Sequence, residues 1–261
     1  MSESATVVCR REGHVAHVVL NRPQARNALN LQMCIDLRHV FEDLDGDKDV
    51  RVVLLTSSGP VFCAGADLKE RVDKDERWVL DRRRASFAAY DAIARCRKPV
   101  VALTQGPVVG SGGEILMSCD FAIASEKTTF RFPEPQWGTV GATQRLQRVI
   151  GKARAKELLF TGRVMPVEEA YARGLVARVV PHADLTRIGD EVVADIAAAP
   201  PLAVALTKQA VDLGYETDLA NGIRIELAAI ERCLANGGWR DGIKKFVDQS
   251  EAETGAGDGE G

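Results

Sequence analysis

Apolar residues follow two rhythms along this chain, and they alternate until about residue 181. Residues 6–11 and 14–20 are β-rich runs on either side of Glu12-Gly13, which predicts a hairpin. Asn21-Arg-Pro23 stops the second strand, because proline cannot donate to a ladder. Leu29, Met33, Leu37, Val40, Phe41 and Leu44 recur at helical spacing, so 28–44 reads as a helix ending in an Asp/Gly loop. Residues 50–56 form a short unbroken apolar run, the pattern of a strand buried on both faces. A long helical pattern with Trp78, Phe87, Tyr90 and Ile93 covers 71–97. Within it Arg82-Arg-Arg84 reads as a solvated helix face. Lys98-Pro99 ends that helix and starts another buried strand through Thr104.

The glycine-rich turn Gly110-Ser-Gly-Gly113 comes next, and Glu114 leads from it into an apolar helix. Residues 120–124 and 128–132 read as short strands, and 143–150 and 153–160 as helices parted by Gly151. Pro166, at a first-turn position, opens a short helix through Arg173 that stops at Gly174. Residues 175–180 read as a strand. From 183 to 249 the pattern is helical throughout, broken at Pro200-Pro201, near Gly214 and at Gly237-Gly238. Strands and helices followed by helices alone predict an α/β core with a helical C-terminal extension. The expected divisions are a core over 1–195, a helical region over 196–250 and a Gly- and acid-rich disordered tail over 251–261. Apolar positions of the extension, Leu227, Ile230 and Leu234 among them, suit packing on the core or on another subunit alike.

Composition narrows the function classes. A chain of 261 residues can bury a sizeable core, and 46% apolar with 27% charged residues describes a soluble globular protein. A net charge of −3 gives no footing for non-specific nucleic-acid binding. The six cysteines form no CxxC pair and no Cys/His metal spacing, so no metal site and a reducing, cytoplasmic setting are expected. Neither a signal peptide nor a membrane span is visible.

Candidate chemistry lies in two stretches. Ala64-Gly65-Ala66 follows a strand, and nothing bulky there bars a ligand from backbone N–H groups. The turn 110–113 fails as a dinucleotide loop, since Ile115 stands where a third glycine is needed. It fails as a P-loop because Glu114 follows Gly113. What remains is a turn with accessible N–H groups at a helix start, or glycines that merely permit tight helix–strand packing. Glu114 suits a ligand contact or simple complementation of the helix end. Glu134, between Pro133 and Pro135, is a stiffly held carboxylate or an ordinary surface-loop glutamate. Cys63 has no histidine close in sequence to activate it and reads as a small buried residue, as does Cys119. His14, His17, His39 and His182 make no metal constellation.

Residues 61–70, VFCAGADLKE, and 110–120, GSGGEILMSCD, resemble the two signature segments of the crotonase (enoyl-CoA hydratase/isomerase) superfamily. Supporting matches run along nearly the whole chain, among them Leu20-Asn-Arg-Pro23, Phe132-Pro-Glu134, Thr143-Gln-Arg-Leu146 and Asp241-Gly-Ile-Lys-Lys-Phe246. The resemblance implies an α/β fold, a crotonase-like spiral of ββα units, with C-terminal helices that support a homotrimer or a dimer of trimers. It implies an acyl-CoA thioester substrate, with coenzyme A as part of the substrate and no separate cofactor. It places an oxyanion hole on the backbone N–H groups of Ala66 and Ser111, and catalysis on Glu114 and Glu134. Coenzyme A is expected along Ala64, Ala66, Asp67 and Leu68, with Arg26 and Lys69 as partners for its phosphates. Retention of both glutamates favours hydration of a 2-enoyl-CoA or the reverse dehydration, with Glu114 as base and Glu134 as acid. The rivals are an enoyl-CoA isomerase or other acyl-CoA lyase, and a non-catalytic acyl-CoA-binding homologue. One departure stands out. Residues 136–142 are fewer than in the glycine/proline-rich loop of such hydratases, which, with Trp137 and Arg131, points to a bulkier, cyclic or carboxylated acyl group or a redirected reaction.

Overall fold

The computed structural model describes residues 5–240, 242–244 and 247–248; the tail expected at 251–261 lies outside them. The chain divides into two compact units, Met1–Ile196 and Ala197–Gly261.

The first unit opens with the predicted hairpin, β1 (Val7–Glu12) antiparallel to β2 (Val15–Leu20). The further strands are β3 (Val52–Ser57), β4 (Val100–Thr104), β5 (Pro107–Val109), β6 (Phe121–Ser125), β7 (Thr129–Arg131), β8 (Val164–Pro166) and β9 (Arg178–Val180). They form a six-stranded sheet in the order β1-β2-β3-β4-β6-β9 and a three-stranded sheet in the order β5-β7-β8. From β2 to β9 the larger sheet is parallel. Each pass of the chain adds one strand to the large sheet and one to the small: β4 with β5, then β6 with β7. Two isolated parallel pairings, Leu29 with Ala66 and Cys63 with Val108, join earlier passes in the same manner. Strands β5 and β8 have only three residues each, too few to show a period in sequence. Pro166 closes β8 and precedes its helix instead of sitting in the first turn.

The helices of this unit are α1 (Leu31–Gly46), α2 (Glu76–Arg95), α3 (Ser111–Leu116), α4 (Thr143–Ile150), α5 (Lys152–Thr161), α6 (Val167–Ala172) and α7 (Leu185–Ala198). Helix α1 begins where Asn30 caps it, its side chain accepting the Met33 N–H at 2.9 Å. Asp75 caps α2 in the same way at Trp78, 2.8 Å. The two helices pack on each other and bury Met33, Leu37 and Phe41 of one and Ala89, Tyr90 and Ile93 of the other. Burial of Met33, Leu37, Phe41 and Ile93 contributes about 1.5–3 kcal/mol each.

The solvated face expected for Arg82–Arg84 holds for Arg84, which is exposed and pairs with Asp81 at 2.8 Å, and fails for Arg82. The Arg82 side chain is fully buried. It donates to Ser86 Oγ at 2.9 Å and to the Leu29 carbonyl, and its Nε lies 3.5 Å from Glu70 Oε2. The physical reason is helical phase: Arg82 shares the inward stripe with Ser86, Ala89 and Ile93, so the charge run crosses the buried face.

The second unit contains α8 (Pro201–Tyr215) and α9 (Leu219–Asn236), which pack together. Gly214 and Gly222 face each other across the helix pair. Asp218 caps α9 by accepting the Asn221 N–H at 3.1 Å. A groove of this unit is lined by Leu206, Val211, Tyr215, Ile223 and Ile230, of which all but Leu206 are exposed. Among the described residues no helix is long and apolar enough to cross a membrane, and no cluster of His, Cys, Asp and Glu could hold a metal ion.

Candidate active site

The site is built on the parallel pairing of Cys63 with Val108. Val109 donates to the Cys63 carbonyl at 2.9 Å, and Cys63 donates to that of Pro107 at 3.4 Å. Parallel segments advance together. Ala66 and Ser111, each three residues past that pair (66 − 63 and 111 − 108), therefore arrive at the same level. They line one small cleft of about 70 Å³, together with Ala64, Leu68, Glu134 and Trp137.

Both N–H groups at this level are left over from the backbone ladder. Leu29 donates to the Gly65 carbonyl at 2.8 Å, and Asp67 donates to that of Leu29 at 2.9 Å. Those two bonds bracket Ala66, whose own N–H points away from Leu29. Ser111 is the first residue of α3, where N–H groups have no acceptor within the helix. Neither N–H meets an acceptor among the described residues. Small residues make this approach possible. A Cβ on Gly112 would stand 2.7 Å from the Cys63 carbonyl oxygen, and one on Gly65 3.3 Å from that of Val109.

Glu134 reaches the cleft from the end of the segment after β7. Its backbone carbonyl accepts from Trp137 at 3.1 Å and Thr139 at 3.0 Å, so it also shapes the short loop that follows. The residue is 8% exposed, and its Oε2 is buried without a hydrogen-bond partner. Two glycines make room for it: a Cβ on Gly110 would lie 2.6 Å from Oε1, and one on Gly141 2.8 Å from Cγ. Burial pushes the Glu134 carboxyl above its ordinary range. The Glu114 carboxylate adds to the rise, and its own N–H and Arg83 oppose it.

Glu114 projects from α3 and is also buried. Its Oε2 accepts from Arg145 Nη1 at 3.3 Å, and Arg145 also donates to Asp91 at 3.3 Å and lies 5.6 Å over the Tyr90 ring. Glu114 acts on Glu134 electrostatically but is not among the residues lining the cleft.

Of the residues expected to meet coenzyme A, Ala64, Ala66 and Leu68 line the cleft; Arg26, Asp67 and Lys69 do not. Arg26 and Lys69 are exposed, and the Arg26 carbonyl accepts the Ala64 N–H at 3.0 Å. The Asp67 carboxylate serves the fold: Arg22 holds it at 3.1 Å, and it caps the 3-10 turn Leu68–Arg71 at the Lys69 N–H. Arg131 is turned to the Gly162 carbonyl at 2.7 Å, away from any part in the cleft. Cys63 is fully buried, which pushes its thiol up to about 11. None of Arg71, Arg83 and Arg145 was expected near the site from sequence. Arg145 falls within the matched segment Thr143-Gln-Arg-Leu146, and Arg83 within the Arg82-Arg-Arg84 run that reads as a solvated face. Arg71 belongs to no motif.

Two unpaired N–H donors beside a carboxyl whose burial raises its pKa, with a second carboxylate in electrostatic reach, can bind an oxygen that gains negative charge and exchange protons next to it. The comparisons bear on the family of the whole chain. The sequence matches the enoyl-CoA hydratase/isomerase family over residues 10–255. A short-chain-enoyl-CoA hydratase of Clostridium acetobutylicum is 34% identical over 258 residues, covering 96% of this chain and 98% of that protein. An enoyl-CoA isomerase/hydratase of Mycosarcoma maydis is 33% identical over 244 residues, 89% of each. The crystal structure of an enoyl-CoA hydratase from Bacillus anthracis superposes with a TM-score of 0.90 at 33% identity, covering 94% of this chain and 96% of its own. By sequence match along almost its full length and by fold, the chain belongs to the enoyl-CoA hydratase/isomerase family within the crotonase superfamily.

Proposed function

We propose that the protein is an enoyl-CoA hydratase, adding water reversibly to a 2-enoyl-CoA thioester. The observation that carries this reading is buried Glu134 beside two N–H groups that lack acceptors, with buried Glu114 in electrostatic reach of it. In the hydration direction the thioester oxygen rests on Ala66 N–H and Ser111 N–H. Water attacks C3 and gives its proton to Glu114, the carboxylate that accepts from Arg145. Electrons move to the thioester oxygen as an enolate, which the two donors stabilise by about 3–4 kcal/mol each. Glu134, whose pKa its burial raises, serves as the acid and delivers a proton to C2. A proton passing from Glu114 to Glu134 restores the resting state. Coenzyme A lies along 64–68, with Arg26 and Lys69 at its phosphates and no cofactor beyond it. The exposed apolar residues of α8 and α9 support self-association as a trimer or a dimer of trimers.

The test is the loss of conjugated enoyl-thioester absorbance with crotonyl-CoA. Glu114→Gln and Glu134→Gln are each expected to lower kcat by roughly 100- to 10,000-fold. Hydration surviving in both variants would overturn the mechanism. Conversion of a 3-enoyl-CoA to its 2-enoyl isomer, without hydration, would favour the isomerase instead.

A further inference from the structure

Two guanidinium groups line the same cleft as Ala66, Ser111 and Glu134: those of Arg71 and Arg83. Arg71 ends the 3-10 turn Leu68–Arg71 and is half-buried. Its Nε is shut off from solvent without a hydrogen-bond partner. Arg83 comes from α2, donates to the Val140 carbonyl and lies 6.0 Å over the Phe87 ring. Buried Arg82 adds a third positive charge nearby, and Arg82 and Arg83 both act on Arg71.

The acids at hand do not balance these charges. Glu70 offsets part of the charge on Arg71, but its oxygens accept the Leu31 N–H at 2.8 and 3.0 Å and lie 3.5 Å from Arg82. Glu134 is the acid that lines the cleft, within reach of Arg83, so even with Glu70 and Glu134 both ionised two negative charges face three positive ones. Burial, then repulsion from Arg82 and Arg83, pull Arg71 below its ordinary pKa. A guanidinium held in this way gains from an incoming anion.

We propose that the enzyme's substrate is a short 2-enoyl-CoA whose acyl chain ends in a carboxylate, held by Arg71 and Arg83. The proposal rests on the enoyl-thioester reading above. The guanidinium fork matches a carboxylate with two parallel hydrogen bonds. Both arginines share the cleft with Ser111 and Glu134, where the reacting end of the acyl group lies. Exposed Arg26 and Lys69, outside that cleft, suit the phosphates of coenzyme A. Because both arginines line the same cleft as Ala66 and Ser111, a carboxylate held there lies only a short chain away from the thioester.

The experiment compares 4-carboxybut-2-enoyl-CoA with its methyl ester, equal in reacting group and different in charge. The wild-type protein is expected to favour the acid in kcat/KM by roughly 10- to 100-fold, the value of a charged hydrogen-bonded pair. In Arg71→Met that ratio collapses towards one, and Arg71→Lys keeps part of it. Arg83→Met reads the same ratio at an independent position, should Arg71→Met fail to fold. Equal kcat/KM for acid and ester in the wild type overturns the proposal, even where crotonyl-CoA is hydrated. Equal slowing of both by Arg71→Met also overturns it, since the guanidinium then serves coenzyme A or the fold. If no thioester turns over, the hydratase reading has failed, and calorimetric binding of the same pair decides this one. Tighter binding of the acid, lost in Arg71→Met, sustains the anion site; equal affinity overturns it.

Discussion

Cys63 and Val108 pair in parallel, and the positions three residues beyond each are Ala66 and Ser111. The two N–H groups proposed as oxyanion donors are thus set by strand register, in segments that otherwise belong to different passes of the chain. No side chain has to aim them. This makes the donor pair sensitive to whatever separates the two strands.

Gly112→Ala tests that dependence. The new Cβ would meet the Cys63 carbonyl oxygen at 2.7 Å and its Cβ at 2.8 Å, and backbone cannot swing aside. The helix carrying Ser111 must then move from the strand carrying Ala66. A shift near 1 Å is expected to cost roughly 100-fold in kcat, with about 1–3 kcal/mol of stability. Steady-state kinetics beside a urea titration separates the two; unchanged kcat in a folded variant would refute the register argument.

Arg82→Met should loosen the same scaffold from behind. Arg82 donates to the Leu29 carbonyl, which also accepts the Asp67 N–H next to Ala66. Removing the guanidinium leaves Glu70 without its buried partner, a loss of about 2–4 kcal/mol for a partly exposed acid. Urea unfolding reads this loss. We expect kcat to fall more than KM rises, and Arg82→Lys to recover part of both.

Glu134→Gln should stabilise the fold at neutral pH while removing activity. The folded carboxyl titrates above its ordinary 4.5, mainly because it is buried. Folding therefore favours the protonated acid. That contribution is fully present below the unfolded value and is lost as pH rises through the raised folded one. Thermal melting should show a higher Tm for the variant at pH 7, by about 2–4 °C per kcal/mol, with the gap closing towards pH 4.5. Wild-type hydration should decline as pH rises through the same transition, and a flat pH profile would argue against Glu134 as the acid.

Cys63 lies beside the site without the properties of a nucleophile. Its thiol, at about 11, is almost wholly protonated at pH 8. Iodoacetamide on the native protein should label exposed Cys9 and spare Cys63, as read by peptide mass spectrometry. Rapid native labelling of Cys63 would show that the buried arrangement opens.

Long periodic segments were legible in sequence: the hairpin, α1, α2 and the terminal helices appear close to where their apolar spacing places them. Strand β5 was not, because three residues show no period, yet it carries the register on which the donor pair depends. Glu134 alone reads as a surface-loop glutamate, which its burial excludes, while Glu114 keeps its place in the first turn of α3 and is buried within reach of Glu134. Arg82 was misread because a run of three arginines looks like a wet surface, whereas its phase with Ser86, Ala89 and Ile93 turns it inward. The Arg145–Glu114 contact and the clustering of Arg71 with Arg83 join distant segments, and nothing local in the chain announces either.

Arg82 and Arg83 are neighbours on one helix, and successive helical residues point about 100° apart. One is locked into the interior; the other borders the cleft. After gene duplication, a copy could explore new acyl groups by drift at position 83 while selection on folding holds position 82 still. Substrate choice and structural integrity would then be inherited as separate traits, although their codons are adjacent.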